Sequence, residues 1–415
     1  SEEPSGSNPG GGGESSITSI TVAASTTNLE LGGSVTFTVT GNDGTNLTSS
    51  ASILVNNSTI QGTEFTPTAT GSYQITAKYQ SLTSSAINLE VTAPVIVSMR
   101  VESNAANVKI GDTATFTVIG SDSSGNDYTI TDTASISVNG SAIAGDSFMV
   151  IAMGDLQVTA TKDDLTADPI DITVTDETAP GTFKRKAIVE DYTGTWCGWC
   201  CRVSYAIEQL ESQTNDAFVI AAHIGDGMQN TYSQALDNVY VTSGYPTAVI
   251  NRDQDWTFPE PNNIDQVINL TTGTTTSGLS LNSMVVGDNL QVYVSAAFAQ
   301  STPGAKLVVF VLEDGIVASQ ANYTSYYNGV DPVTDFVHNH VLRHSITNVF
   351  GDAIPNTGAG QKHTQVFDIP MPASVSDSSR VSVVAMIVGS DNKLINAARS
   401  KTGTVDAADS DFQAN

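Results

Sequence analysis

Apolar and polar residues alternate through most of the first 176 positions. Val35-Thr-Phe-Thr-Val39, Ile87-Asn-Leu-Glu-Val91 and Ile170-Asp-Ile-Thr-Val174 place an apolar side chain at every second position, as a strand with one buried face requires. Gly, Asn and Asp punctuate these runs. The pattern is also internally repeated. Leu31-Gly-Gly-Ser-Val-Thr-Phe-Thr-Val39 recurs as Ile110-Gly-Asp-Thr-Ala-Thr-Phe-Thr-Val118, Ala51 to Asn57 as Ala134 to Gly140, and Ile87 to Thr92 as Ile170 to Thr175. The offset grows from 79 to 83, which puts four extra residues in the second copy near Ser123 to Asp127.

From Lys184 the period changes. Ala187 to Val189 is a short apolar strand, and after Cys200 the residues Val203, Ala206, Ile207 and Leu210 share one helical face. Ala217 to Ala222 predicts a second strand, residues 231 to 240 a helix, and Thr247 to Ile250 a third strand. A last helix, capped by Asn262 or Asn263, would bury Ile264, Val267 and Ile268. Strand patterns return after residue 273 at Leu290 to Val294, Leu307 to Leu312, Val381 to Val388 and Leu394 to Ala398. A loop-rich insertion interrupts them from Asn322 to Thr334.

These periods predict a multidomain chain. Residues 17–93 and 94–176 are two all-β Ig-like sandwiches that resemble the bacterial Ig-like modules of surface proteins. Neither contains Cys, so each must hold together by its core. Residues 180–272 form an α/β domain and 273–405 a C-terminal all-β sandwich. A flexible Gly-, Pro- and Ser-rich tether occupies 1–16, and an acidic, disordered tail 406–415.

Charge narrows the function. Lys and Arg total 16 against 43 Asp and Glu, a net charge of −27. Nucleic-acid affinity comes chiefly from clustered cations, so no nucleic-acid partner is expected. No apolar run reaches the length of a membrane helix. The chain opens at Ser1 without Met, as a processed product would.

All three cysteines fall within five residues, at Cys197, Cys200 and Cys201. A Cys-x-x-Cys bridge closes almost no loop, so an incidental staple explains it poorly. A zinc knuckle needs four ligands, and no second Cys pair exists. Redox geometry fits best, with a relic site lacking turnover as the remaining alternative. The strand ahead of the motif and the helix after it put Cys197 at a helix N-terminus, where partial positive charge favours a thiolate. Cys200, one turn inside, would pair with it and resolve a mixed disulfide. Glu190 and Asp191 are consecutive in a strand and point to opposite faces, so one of them, in preference Asp191, can serve as a proton relay. His223, ending the central strand, either contacts the site or holds a loop.

Trp196-Cys-Gly-Trp-Cys200 resembles the Trp-Cys-Gly-Pro-Cys site of thioredoxins, with Trp199 in place of Pro and Cys201 in place of Lys. The resemblance implies that residues 180–272 have a thioredoxin-like fold. It gives Asp191 the place of the buried proton-accepting carboxylate. It also gives Pro246, in Gly244-Tyr-Pro-Thr247, the place of the cis proline that receives substrate backbone. No strand pattern follows Asn251-Arg252, where such a fold has its last hairpin strand.

The chain from about Lys184 onward also resembles the twenty-eight-kilodalton outer-membrane protein family, lipoproteins of Bacteroidota. Glu190 to Gly194, His223 to Asp226, Tyr245 to Arg252, Leu312 to Ile316 and His338 to Arg343 carry the resemblance. It implies a lipid-anchored protein of the outer membrane, exposed at the cell surface and meeting exported or outer-membrane proteins. The anchor would sit on a Cys just ahead of Ser1, with Glu2 and Glu3 as the surface-export signal. Two functions follow. One is thiol–disulfide exchange on exported proteins; the other is a non-catalytic scaffold, adhesin or receptor subunit. No cofactor is implied. His338, His340 and His344 share parity and could hold a transition metal or serve a structural motif. The acidic loops at Asp122 to Asp127 and Asp163-Asp164 match no recognised calcium loop.

Overall fold

The computed structural model describes residues 17–402 and Phe412; the expected tether at 1–16 and all of the expected tail at 406–415 except Phe412 lie outside the described residues. The chain divides into two compact units. The first holds the first repeat together with 118–133 and 161–167 of the second; the other holds 101–117, 134–160 and everything from Asp168. All the α-helices among the described residues fall between Cys201 and Ile268, and the remainder is β-rich with several separate sheets. None of these helices is long and apolar enough to cross a membrane.

In the first repeat, one sheet joins Ile20–Ala24, Val35–Gly41 and Glu64–Phe65. A second orders Asn28–Glu30, Ile87–Thr92, Gly71–Tyr79, Ser52–Val55 and Ser58–Thr59. The alternation decides how they pack. Val35, Phe37 and Val39 from one sheet meet Ile53, Ile75, Leu89 and Val91 from the other in a shared core, while the intervening threonines face out. The second repeat reproduces the larger sheet in the same order, with Asn107–Lys109, Ile170–Thr175, Leu156–Lys162, Ser135–Val138 and Ser141–Ala142. In both copies a three-residue strand runs parallel to the last one. The extra residues near Ser123 convert an isolated bridge, Thr40 to Asn46 in the first copy, into a strand. In the second copy Asp127–Thr129 pairs with Ile119 to Ser121.

The part of the second unit from Ala187 onward begins with β1 (Ala187–Thr193), α1 (Cys201–Glu211), β2 (Ala217–His223), α2 (Thr231–Tyr240), β3 (Thr247–Ile250), β4 (Gln254–Asp255) and α3 (Ile264–Ile268). It continues with β5 (Ser277–Val286), β6 (Asn289–Phe298), β7 (Lys306–Glu313), β8 (Ile316–Gln320) and β9 (Val333–His338). The last strands are β10 (Val341–Ser345), β11 (Gln361–Pro370), β12 (Val381–Val388) and β13 (Leu394–Lys401). One nine-stranded sheet runs β4-β3-β1-β2-β10-β7-β12-β13, with Asp352–Ala353 paired to the start of β7.

This sheet crosses the position, residue 272, where the sequence pattern suggested a boundary. β1 and β2 are parallel along their full length, and β2 meets β10 at Ala221 and Val341, where the Ala221 N–H donates to the His340 carbonyl at 2.8 Å. The reason lies in the strands themselves. Every residue of β1, β2 and β12 is buried, so both faces need cover and polar alternation is absent. One face, carrying Ile188, Phe218, Ile220, Phe310, Leu312, Val384 and Met386, packs on Leu236 of α2. On the other face, Val189 and Val219 pack on α1 and α3, and Val309, Val311, Val383 and Ala385 pack on the separate three-stranded sheet β5-β6-β11.

Three local expectations differ from what is observed. Asn263 stands at the cap of α3 and Ile264 and Val267 are buried as expected, but Ile268 is only half-buried and the Asn263 side chain makes no cap bond, its amide donating to the Thr257 and Pro259 carbonyls. A short hairpin strand, β4, does follow Asn251-Arg252. Its turn takes both residues to φ near +55°, and two residues are too few to leave a periodic trace. Within the expected tail, Phe412 is buried and its ring meets Phe183 edge-on at 5.8 Å.

Candidate functional site

Cys197 and Cys200 form a disulfide with their Cα atoms 5.4 Å apart, and Cys201 is free and buried. The two bonded cysteines lie in successive i→i+3 turns, in which the Cys197 N–H donates to the Gly194 carbonyl and the Cys200 N–H to the Cys197 carbonyl. Regular helix starts only at Cys201. Cys200 is therefore the N-cap of α1 rather than a residue one turn inside it, and Cys197 precedes the helix. The motif approaches β2 through polar contacts: the Asp226 carboxylate accepts from the Thr195 and Met228 N–H groups and bonds His223 Nδ1 at 2.8 Å. Burial pushes that carboxyl up, but His223 and the Thr195 and Met228 N–H groups together outweigh it and leave Asp226 below its usual value. His223 thus holds the loop beside the motif, one of its two expected roles.

Both bonded cysteines are buried, Cys197 at 4% exposure. Against their turn lies a segment that joins the end of β8 to the start of the loop-rich insertion. Gln320 to Tyr323 runs across the turn, its Ala321 N–H donating to the Thr195 carbonyl and its Tyr323 N–H to the Gly198 carbonyl, both at 2.8 Å. The buried Gln320 amide donates to the Gly194 and Cys197 carbonyls at 3.2 and 3.0 Å. Cys201 donates its thiol to the Ala321 carbonyl. Burial, followed by the nearby Asp331 carboxylate, pushes this thiol up to about 11. The Tyr323 ring meets Trp199 edge-on and lies so close to Gly198 that a Cβ there would sit 2.4 Å from it.

Asp191 and Glu190 do face opposite ways. Glu190 forms a fully buried ion pair with Arg252 at 2.7 Å, and the guanidinium also donates to the Val349 carbonyl. Asp191 is buried under α1 without such a partner, and its Oδ1 accepts no hydrogen bond. Burial, with a smaller contribution from Glu260, pushes its carboxyl up to about 8. Asp191 lines a cavity of about 60 Å³ with Ser204 and Glu208 of α1, His223 of β2, and His338 and His340. The Nε2 of His338 also lacks a partner there. Burial first, then the neighbouring His223, lowers this imidazole to about 4.

Two of the three clustered histidines thus reach the Asp191 cavity. The third does not: His344 Nδ1 bonds the Tyr232 hydroxyl at 3.1 Å. His340 pairs with Glu211 and, among the described residues, no three His, Cys, Asp or Glu side chains are arranged to hold a metal. Pro246 follows a cis peptide and leads into β3, whose Thr247 pairs with Tyr192 of β1. Trp196 donates to the Ile224 carbonyl and packs edge-on against Tyr245.

Residues 233–406 match the family described as Outer membrane protein Omp28. The matched stretch contains Pro246, the Gln320–Tyr323 segment and His338, and begins after the cysteines and Asp191. No curated protein matches the chain. Among solved structures it is similar to HBP35 of Porphyromonas gingivalis, at 19% identity and a TM-score of 0.42, over 54% of this chain and 78% of that one. It is similar to domains 5–6 of the S-layer protein SbsC at 20% identity and a TM-score of 0.18, over 38% and 97% of the two chains. For the adhesin InvE of Yersinia pseudotuberculosis the values are 16% and 0.22, over 41% and 63%.

Proposed function

We propose that this chain is a surface-exposed outer-membrane protein whose Cys197–Cys200 pair, in a thioredoxin-like frame, exchanges disulfides with exported proteins. The family match over residues 233–406 supports the location. A lipid anchor ahead of Ser1 fits it, and metabolic labelling with a fatty acid tests for one. The observation that carries the exchange reading is Asp191. A buried carboxyl with an unpartnered Oδ1 costs stability, so a role in chemistry explains it better than a role in the fold.

The exchange balances as follows. A partner thiolate attacks the Cys197 sulfur, a mixed disulfide forms, and the Cys200 thiolate leaves and takes a proton that the Asp191 carboxyl holds at neutral pH. A second partner thiolate then attacks the mixed disulfide and releases Cys197. The partner has lost two electrons and gained a disulfide, and the Cys197–Cys200 pair is reduced. Reversal of the same steps reduces a partner disulfide.

The burial of Cys197 favours a second reading, a binding scaffold stapled at this turn. One assay separates them. Oxidised wild-type protein should convert a peptide dithiol to its disulfide, and reduced protein should cleave insulin disulfides, with both activities abolished in Cys197→Ser/Cys200→Ser. Folded wild-type protein inert in both directions would leave the scaffold.

A further inference from the structure

The segment Gln320–Tyr323 makes contacts of the kind a bound peptide makes. Its N–H groups at Ala321 and Tyr323, two residues apart, both meet carbonyls of the Cys197–Cys200 turn region. The residue before them, Gln320, inserts a buried amide that satisfies two more carbonyls of that turn. The ring at the other end lies on Gly198 and Trp199 and stays 58% exposed, so it rests on the surface without filling a core.

Nothing covalent or ionic holds this stretch to the turn. It leaves β8, which pairs only with β9 in a two-stranded ribbon apart from the nine-stranded sheet. Such a ribbon is marginal by itself, and its register is irregular between Ala318 and Gln320, where the strap begins. Farther along the loop, Tyr326 stacks on Tyr205 at 4.3 Å and Tyr327 donates to Glu208 at 2.8 Å. The far end is therefore tied to α1, while the near end rests on hydrogen bonds, the buried Gln320 and Asn322 side chains and one exposed ring.

We propose that Gln320–Tyr323 is a resident peptide ligand of the Cys197–Cys200 turn. It closes the disulfide to other molecules and marks the register that an extended partner polypeptide takes when the strap lifts. The partner chemistry follows from the contacts. It is an extended segment with N–H donors at positions i and i+2, a side-chain amide at i−1, and an aromatic ring at i+2 to lie on Gly198 and against Trp199. The gating of protein exchange rests on the function proposed above, whereas the closure itself does not.

The test measures reduction of the disulfide in the full chain by a small trialkylphosphine, read by alkylation and mass. Gln320→Ala and Tyr323→Ala should each speed reduction by about tenfold, because each removes contacts that oppose local opening. Gly198→Ala, which forces the Tyr323 ring away, should do the same. A synthetic peptide copying residues 318–325 should slow the Gln320→Ala protein and leave wild type unchanged. Unchanged phosphine rates in all three variants, at unchanged melting temperature, would overturn the closure. Hydrogen exchange of wild type guards against misfolded variants: the Ala321 and Tyr323 amides should exchange far faster than that of Ala221 in the central sheet. If they exchange only with global unfolding, the strap does not lift. Phosphine reads access alone, so a strap-sensitive rate in a protein inert toward insulin and dithiols would sink the exchange reading and keep the closure.

Discussion

Asp191 and His338 line one cavity and titrate in displaced, opposite senses, each for want of water. The folded chain keeps the Asp191 proton up to about pH 8, whereas an unfolded chain releases it near the ordinary 3.8. Its contribution to stability is therefore complete below the unfolded value and lost as pH rises through the folded one. His338 runs the other way. Its contribution is complete above its ordinary 6.5 and lost as pH falls through about 4. Glu260 acts on Asp191, and Glu208, Glu211, His223 and His340 face the same cavity. Asp191→Asn should remove the loss of melting temperature that accrues as pH rises from 3.8 to about 8, and His338→Gln the loss that accrues as pH falls from 6.5 to about 4. A wild-type curve that matches the Asp191→Asn curve between pH 3.8 and about 8 would contradict the protonated, buried state assigned to Asp191.

At the scale of elements, the hairpin β3–β4 is held by its turn. Arg252 adopts a left-handed backbone that few non-glycine residues take, and in return its guanidinium reaches Glu190 on β1, fully buried. Removing one member of such a pair strands the other charge in the core. Arg252→Ala should therefore cost about 3–5 kcal/mol in urea unfolding, and Glu190→Gln/Arg252→Met distinctly less. Equal losses for the single and double variants would show that packing, not charge, holds this hairpin. The strap is the opposite kind of element, held by hydrogen bonds from its backbone and the Gln320 amide and lying outside the main sheet.

At the scale of the molecule, β10, β7, β12 and β13 extend the sheet that β1 and β2 begin. Ile220 and Phe218 share a buried cluster with Phe310, Leu342 and Met386, so neither half completes its core alone. A fragment of residues 180–272 should lack a cooperative unfolding transition in calorimetry, while a chain carrying 168–415 should show one. A fragment 180–272 that melts cooperatively on its own would support a domain boundary at residue 272. The high negative charge acts at this scale too, keeping a β-rich chain with many strand edges dispersed.

Local periodicity by itself determined the longer strands and the first helix. Alternation predicted the strand through Val35 to Val39 and its repeat through Val118, and the shared face of Val203, Ala206, Ile207 and Leu210 predicted α1. The Cys-x-x-Cys spacing sufficed for the disulfide, and strand parity for the opposite aims of Glu190 and Asp191. Such features depend on neighbours a few residues apart, and a chain carries that information openly. Only the tertiary structure decided who covers whom. The unbroken apolar runs of β7 and β12 say that both faces need cover without naming the partner, and β10 found the free edge of β2. The strap left no trace beyond an unpatterned loop. Two of its bonds to the cysteine turn use N–H and carbonyl groups that almost every residue carries, so no side-chain pattern encodes them.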